Sequence, residues 1–394
     1  MLNVAAILFG LLAGHFLSSD WVHYIAPVGT LFLAVLKMFI NPILFLSVFL
    51  SFLRAASDKR IFGSLRYLIA VYLLFLTASW LLAFATSWLG PVAKLPEALL
   101  DPMQVQQSSS EFGFSNLIPR SLFEGIISGF SLQVFVLAAG LGLGAAKLDS
   151  SKALLVGDLS DAIFQLFMNV LRIILRALPI GLFCLSAKLS SAANVSLVAA
   201  LITLLLQTLA ASIVFVALCI VAMKIFSKAT IDASYKSAMS PLAVAFGTAM
   251  SVSTLPAAVA ALTTTFKVER KAAEILYPLG IALNPVGNVL SMTLTVFFLQ
   301  RALGLEFSLT DYFVAYGTSL MAGLAASGMP GIMAATIISV AVAPLGIPVV
   351  PAILVRSFLA PIVDATLTAV NVSGNLASIV IMGHTVLRDK DVSL

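Results

Sequence analysis

Charged residues are scarce in this sequence. Asp, Glu, Lys and Arg make up 10% of its 394 residues, whereas hydrophobic residues make up 61%. A water-soluble globular protein carries about 25% charged residues, so this composition excludes that class. Uncharged runs such as 193–223 and 276–300 exceed the roughly 20 helical residues that cross a bilayer core. The sequence therefore predicts an all-α polytopic membrane protein.

Cysteine and histidine are also scarce, which bears on metal and disulfide chemistry. Cys184 and Cys219 lie within apolar runs, where a cysteine behaves as a small apolar side chain. His15, His23 and His384 are far apart in sequence and show no metal-ligand spacing. We therefore expect no disulfide framework, no metal site apart from a Na⁺ site, and no cofactor.

Signals for nucleic-acid binding and for enzymes are weak. The net charge of +5 is explained by the gathering of Lys and Arg in cytoplasmic loops, so no nucleic-acid partner is expected. The glycine-rich residues 138–146 follow no strand and precede no acidic residue that would complete a dinucleotide site. Small residues that let helices approach closely explain this stretch better. The spans contain no HExxH motif and no paired carboxylates, so an intramembrane enzyme has little support.

Apolar runs and their basic flanks predict the topology of the first half. Basic loops are cytoplasmic, so the loop after span two and the N-terminus are both expected in the cytoplasm. This loop contains Arg54, Lys59, Arg60 and Arg66. Spans one to six are expected at about 2–17, 28–53, 68–89, 131–147, 163–187 and 193–223.

Two connections and two arginines complete this half. Residues 92–125 form a polar connection that is expected outside the cell or in the periplasm. Arg172 and Arg176 lie one helical turn apart in span five, and they can face an interior, snorkel to the interface or pair with acids. A second cytoplasmic turn is expected around Lys147, Lys152, Asp158 and Asp161.

The second half departs from simple spans. Residues 237–266 are uncharged, carry Ser, Thr, Gly and Pro at their centre and have basic residues at both ends, which predicts a re-entrant hairpin. Span seven, at about 272–300, is interrupted by LNPVGN at 283–288, and such backbone persists at membrane depth only inside protein or beside a cavity. A second hairpin is expected at about 312–350 and span eight at about 352–383. Hairpin and broken helix occurring twice is typical of the inverted repeats of secondary transporters.

Span eight carries a polar stripe. Asp364, Thr368, Asn371 and Asn375 follow steps of four, three and four, so on a helix they lie within roughly 60° of one another. An ionisable group at membrane depth costs at least about 2.5–3.5 kcal/mol and normally faces a cavity, a partner or a ligand. The simpler explanation is that Asp364 pairs with a distant cation and the amides bond neighbouring helices. A stripe of four favours a binding site.

Motifs from this half occur together in a known family. From about Asn116 onward, the chain resembles the dicarboxylate/amino acid:cation symporters, the glutamate-transporter homologues. The resemblance is carried, in order, by Thr254-Leu255-Pro256, YPLG at 277–280, Asn284 followed by Gly287, GMPG at 328–331 and NVSGN at 371–375.

The resemblance implies an architecture. It predicts eight transmembrane helices and two re-entrant helical hairpins, assembled as a homotrimer that works by an elevator mechanism. Residues 1–66 and 92–190 would form the fixed scaffold, and residues 67–91 and 191–394 the moving transport domain.

The resemblance also implies binding roles. Asp364 matches the carboxylate that holds a substrate α-amino group, Thr368 a hydroxyl near that group, and Asn371 the amide that holds the α-carboxylate. Ammonium groups prefer carboxylates, and carboxylates prefer amide and half-helix N–H donors. The hairpin tips would add Ser251, Ser253, Thr254, Gly328, Pro330 and Gly331.

Departures from the family pattern bear on substrate and coupling. Leu367 stands where acidic-substrate members carry Arg, which favours a neutral amino acid. Arg356, roughly 12 Å along the helix from Asp364 and about 80° off the stripe, is the alternative cation. Val286 and Asn375 each replace a sodium-ligating Asp. Cation binding would then rely on Gly280, Asn284, Asn371, Asn375 and Ala326, or a proton would couple instead, or coupling would be lost.

These features predict a secondary active transporter in a bacterial inner membrane, with both termini cytoplasmic. Its expected substrates are small neutral amino acids, coupled to Na⁺ or H⁺. The alternative within this class is a symporter of acidic amino acids or C4-dicarboxylates. An uncoupled, channel-like permeation protein is the alternative from another class. The expected partners are the lipid bilayer and further copies of the chain.

Overall fold

The computed structural model describes residues 6, 9–10, 12–14, 19–57, 59–90, 131–177, 179–181, 183–184, 187, 195–327 and 331–385. Within these ranges the chain is built from helices and turns and contains no strand. The predicted all-α class is therefore correct for the described residues. Span one, the 92–125 connection and the charged C-terminal tail lie mostly or wholly outside them.

The helices of the described residues vary widely in length. In chain order they are α1 (Ser19–Ser57), α2 (Lys59–Ser87), α3 (Ser131–Ala145), α4 (Ser150–Ile174), α5 (Val195–Ser227), α6 (Ile231–Thr248), α7 (Leu255–Thr264), α8 (Arg270–Leu283), α9 (Val286–Ala302), α10 (Leu309–Ala325), α11 (Gly331–Val342) and α12 (Val349–Thr385). Short 3₁₀ segments cover Leu175–Ala177, Ser251–Thr254 and Ala343–Leu345.

Four helical segments of the described residues are long and apolar enough to cross a membrane. They are Tyr67–Ser87, Leu201–Ser227, Arg270–Ala302 and Ile362–Thr385. They correspond to the predicted spans three, six, seven and eight. The full set of eight spans, the inverted repeat and the elevator motion stay predictions.

Helix ends in the first half differ from the prediction. Helix α1 begins at Ser19 rather than near Val28, and α2 begins at Lys59. The predicted cytoplasmic loop is therefore largely helical, with Arg54 in α1 and the other three basic residues in α2. Likewise, Lys147 lies in a turn between α3 and α4, as predicted, but Lys152, Asp158 and Asp161 lie within α4. The physical reason is that Lys and Arg are good helix formers, so a basic residue marks a membrane boundary without ending a helix.

The second half follows the prediction more closely. The interruption of span seven falls at Asn284 and Pro285, between α8 and α9. Helices α6 and α7 pack against each other across the 3₁₀ segment, and α10 packs against α11. These helix pairs occupy the positions of the two predicted hairpins; their re-entry from one side of a membrane stays a prediction.

Helix α12 lies at the centre of this half. It packs against α5, α6, α9 and α11, and it also contacts the 3₁₀ segment between α6 and α7. Two glycines allow α12 and α9 to pack closely against each other. A Cβ on Gly287 would collide with the carbonyl oxygen of Leu367, and one on Gly374 would lie 2.6 Å from Cγ2 of Val286. The polar stripe of α12 is thereby held against the break in span seven.

Candidate functional site

All four residues of the predicted stripe lie on α12. Thr368 and Asn375 are buried, whereas Asp364 and Asn371 are half-buried. The Thr368 hydroxyl donates to the carbonyl oxygen of Asp364 at 2.9 Å, which places these two groups one turn apart on the same face. The stripe therefore presents a carboxylate, a hydroxyl and two amides along one helix.

Asn371 joins the stripe to the broken span. The Gly287 backbone N–H donates to Asn371 Oδ1 at 2.8 Å, at the first turn of α9. The N-terminus of a helix attracts anions through its N–H groups and its dipole. Because the Asn371 carbonyl oxygen serves as the acceptor here, its amide nitrogen is the group that can donate to a carboxylate.

The first helix pair is tied to the broken span through Thr254. Its hydroxyl bonds the Tyr277 hydroxyl at 2.6 Å and donates to the Ser251 carbonyl oxygen at 2.6 Å. Thr254 is fully buried, Ser251 is half-buried and Ser253 is exposed. Tyr277 lies on α8, about two turns before the break, and the 3₁₀ segment that contains Thr254 also contacts α12.

The second helix pair is tied to both sides of the same break. Ser327 Oγ donates to the Ile281 carbonyl oxygen at 2.6 Å, and Asn288 Nδ2 donates to the Ala326 carbonyl oxygen at 3.1 Å. Ile281 lies on α8 and Asn288 on α9. The end of α10 therefore closes over the interruption from one half-helix to the other.

Buried amides accumulate where α8 ends. Asn284 Nδ2 donates to Ser378 Oγ at 3.1 Å. Within the part of the chain that the structure describes, Asn284 Oδ1 has no hydrogen-bond partner, and neither polar atom of the Asn375 amide has one. A Cβ on Gly280 would lie 2.8 Å from Asn375 Oδ1 and 3.0 Å from the Tyr72 hydroxyl. Buried unsatisfied polar groups are rare and point to a bound ion, a water or strain. Three of the predicted cation ligands therefore lie together.

Val286 has an apolar environment. It is fully buried, and its side chain contacts Gly374, close to the Phe215 ring. Its carbonyl oxygen accepts a hydrogen bond from Ser79 Oγ at 2.7 Å. The position at which the resemblance implies a sodium-ligating Asp is thus filled by packed hydrocarbon, which offers no cation ligand from its side chain.

Arg356 is the one Asp, Glu, Lys or Arg side chain of the described residues that is buried, at 1% exposure. It lies on α12, and its charge interacts with that of Asp364. Leu367 is also buried, at 2% exposure, so no cation stands within the stripe itself. The charged pair of this helix is Arg356 and Asp364.

The predicted site residues at the tip of the second hairpin are only partly covered by the structure. Gly328 and Pro330 are outside the described residues, and Gly331 is the first residue of α11. Sequence reasoning assigned no role to Tyr72, Tyr277, Asn288, Ser327 or Ser378. Asn288 lay within the predicted interruption at 283–288 and Ser327 within the predicted second hairpin at about 312–350, which were their only signals. Tyr72 lies on α2, and its hydroxyl donates to the carbonyl oxygen of Leu276, more than two hundred residues away in sequence. No local sequence pattern marks it.

The comparison with known proteins decides the family. The model of the sodium:dicarboxylate symporter family matches residues 2–385. The chain belongs to this family. It is 26% identical over 341 residues to C4-dicarboxylate transport protein 1 of Ralstonia nicotianae, covering 83% of this chain and 78% of that protein. It is 27% identical over 367 residues to a C4-dicarboxylate transport protein of Rhodospirillum rubrum, covering 88% and 79%.

Membership confirms the predicted resemblance and the broad class. With the four candidate spans, it supports an integral membrane transporter of a bacterial inner membrane. Since the family consists of symporters, transport rather than catalysis is the activity to test. The relatives are named for C4-dicarboxylates, which agrees better with the alternative substrate class than with neutral amino acids.

Proposed function

We propose that this protein is a cation-coupled symporter of C4-dicarboxylates. One observation carries the proposal: two helical turns and the polar face of α12 are hydrogen-bonded around the break between α8 and α9. In secondary transporters, such broken helices direct half-helix N-termini at anionic substrates and half-helix C-termini at coupling ions. The α9 N-terminus with Asn371 would then receive a substrate carboxylate.

The relatives support the choice of substrate class. Proteins named C4-dicarboxylate transport proteins align with 83% to 88% of this chain. The site chemistry at Asn371 is that of a carboxylate receptor, since amide and helix N-terminal N–H groups both donate. We therefore propose succinate, fumarate or a similar dianion as the transported solute.

Asp364 favours a second candidate, the small neutral amino acids. Its carboxylate suits a substrate ammonium, which dicarboxylates lack. Thr368 lies one turn along the same face, and the buried Leu367 offers no charge for a side-chain carboxylate. Replacing Asp364 by Asn separates the two candidates: it would abolish amino-acid uptake and leave succinate uptake in place.

A coupling cation would bind at the end of α8. The unpaired Oδ1 atoms of Asn284 and Asn375 are neutral oxygen ligands, and Gly280 adds backbone beside them. Half-helix C-termini and unwound carbonyls supply such ligands for Na⁺ or H⁺ coupling in transporters. We propose one Na⁺ at this cluster. A proton is the alternative coupling ion, and an uncoupled permeation protein is the outcome if neither gradient drives uptake.

We also propose the family architecture for the whole assembly. The protein would be a homotrimer in the bacterial inner membrane, with cytoplasmic termini and a transport domain that moves as an elevator against a fixed scaffold. Native mass spectrometry of the detergent-solubilised protein tests the first part, because it reports the number of chains directly.

Uptake into proteoliposomes tests the proposed function. Labelled succinate, aspartate, alanine and serine are compared under an inward Na⁺ gradient, an inward H⁺ gradient and no gradient. We expect concentrative succinate uptake that depends on a gradient and collapses with the matching ionophore. Uptake of alanine or serine without succinate uptake would overturn the dicarboxylate proposal in favour of the second candidate. Uptake that only equilibrates would indicate an uncoupled protein.

A further inference from the structure

Arg356 carries hydrogen-bond donors that no other described residue uses. The side chain is 1% exposed, and its Nε and Nη1 atoms are buried without hydrogen-bond partners among the described residues. A buried donor left unsatisfied costs about 1–3 kcal/mol, and more for a charged group. A guanidinium offers five N–H groups in a planar fork that matches a carboxylate. Two nitrogens of the Arg356 guanidinium can therefore donate to a ligand that has acceptor oxygens, such as a carboxylate.

The charges of Arg356 and Asp364 balance each other. Among residues 312–387, Arg356 and Asp364 are the only Asp, Glu, Lys or Arg residues. Their charges interact, so the pair is formally neutral. Asp364 reduces the cost of burying the guanidinium, yet no described residue supplies an acceptor for two of the guanidinium nitrogens. A small anion would supply these acceptors. Because Asp364 already balances part of the charge of Arg356, the anion would be bound weakly enough to dissociate again.

Arg356 and Asn371 cannot hold one small substrate together. They are 15 residues apart on α12, which is about 22 Å along the axis of a helix. Even a long arginine side chain does not reduce that separation to the length of a four-carbon chain. Any carboxylate at Arg356 therefore occupies a place different from the carboxylate position at Asn371.

We infer that Arg356 forms a second carboxylate subsite, toward the N-terminal end of α12, which receives the dicarboxylate on its way to or from the site at Asn371. This inference rests on the proposed function for the identity of the ligand. Charge-assisted hydrogen bonds to a guanidinium make such a subsite worth about ten- to hundredfold in substrate affinity. Its loss affects capture of the substrate rather than the steps after it is bound.

Transport kinetics test the subsite. Arg356→Gln should raise the KM for succinate at least about tenfold and leave the maximal rate nearly unchanged, because the main site is intact. Arg356→Lys keeps the charge but loses the fork, so its KM should lie between those of Arg356→Gln and the unchanged protein. Arg270→Gln is the matched control: this arginine is at the surface, pairs with Glu274 at 2.8 Å, and its loss should leave the KM unchanged.

A double variant separates binding from a purely structural ion pair. If Arg356 serves only to neutralise Asp364, Arg356→Gln with Asp364→Asn should restore the KM for succinate. The subsite predicts that the KM stays raised. Restoration in the double variant, or an unchanged KM in folded Arg356→Gln, would overturn the inference.

Direct binding distinguishes failure of the subsite from failure of the proposed function. Succinate, inorganic phosphate and chloride are added to purified protein, and the shift of the unfolding temperature is measured. We expect a succinate shift that shrinks in Arg356→Gln and Arg356→Lys but not in Arg270→Gln. A protein that shows this pattern without transporting succinate contradicts the proposed function only. Equal shifts in all variants, or equal shifts with all three anions, contradict the subsite.

Discussion

At the scale of single residues, Gly287 controls the contact between α9 and the polar face of α12. A Cβ at this position would collide with the Leu367 carbonyl oxygen and lie 3.2 Å from Asn371 Oδ1. Overpacking of this kind costs about 1–3 kcal/mol. Gly287→Ala should therefore lower the apparent unfolding temperature in detergent and abolish succinate uptake.

Gly317 provides the matched control for that variant. It lies in α10, and a Cβ there would meet nothing within 4 Å. Alanine is favoured over glycine in a helix by about 0.5–1 kcal/mol, so Gly317→Ala should leave the unfolding temperature equal or slightly higher. Equal decreases in unfolding temperature in Gly287→Ala and Gly317→Ala would show that the collision at Gly287 does not cause the destabilisation.

Asn371 has two functions that one substitution separates. Its Oδ1 accepts from the Gly287 N–H at 2.8 Å, and its amide nitrogen would donate to the substrate. Asn371→Asp keeps an acceptor and removes the donors, while its charge repels a carboxylate. We expect a folded protein with succinate uptake reduced at least about thirtyfold, since an unpaired charged partner costs about 2–5 kcal/mol. Near-normal uptake would remove Asn371 from the site.

Some residues of the site were predictable and others were not. Asp364, Thr368, Asn371 and Asn375 repeat with the helical period, so the sequence alone places them on one face. Tyr277 and Ser327 bond groups that only the folded chain brings near, 23 and 46 residues away. Such hydroxyl groups leave no periodic signal in the sequence, because a single side chain makes the hydrogen bond and its distance in sequence from the partner is arbitrary.

At the scale of secondary structure elements, the turn after α10 is held by two hydrogen bonds. Ser327 donates to the Ile281 carbonyl oxygen and Asn288 donates to the Ala326 carbonyl oxygen. A typical bond contributes about 0.5–1.5 kcal/mol, so Ser327→Ala should open this turn more often. Hydrogen exchange of residues 320–335 should speed up severalfold, as measured by mass spectrometry.

A hydroxyl at the opposite end of α10 supplies the control for Ser327→Ala. Thr310 is exposed in the first turn of α10, so Thr310→Ala should leave exchange in residues 320–335 unchanged. Faster exchange in both variants would mean that the Ser327 bond does not specifically hold the turn.

The elements also show why the boundaries of the first half were wrong. The break at Asn284 and Pro285 was predictable because proline removes a helical donor and clashes with the preceding turn. The ends of α1 and α4 were not predicted correctly, because the prediction ended or began each helix at a charged residue. Arg54 and Lys152 lie inside helices, since a charge needs water but does not need a loop.

At the scale of the whole molecule, the charges of α12 set a requirement on coupling. Arg356 and Asp364 are formally neutral together, and Val286 and Asn375 add no charge. A succinate dianion would cross with two uncompensated charges, which is very costly in a low-dielectric interior. We therefore expect at least two cations to accompany each dianion, one of them the Na⁺ proposed at Asn284 and Asn375.

The response to membrane potential measures that requirement. Succinate uptake is recorded in proteoliposomes with a potassium diffusion potential set by valinomycin. An inside-negative potential should leave uptake unchanged for two cations and stimulate it for three. Inhibition by an inside-negative potential would mean that net negative charge enters, which contradicts the charge balance and favours uncoupled permeation.

The location of the substrate is the central claim, and a cryo-EM map of the protein saturated with succinate and Na⁺ tests it most directly. The account predicts density for a four-carbon dianion between Asn371, the first turn of α9 and the turns that end α6 and α10. Density confined to another place, such as the interface of α1 and α4, with none beside Asn371, would contradict it.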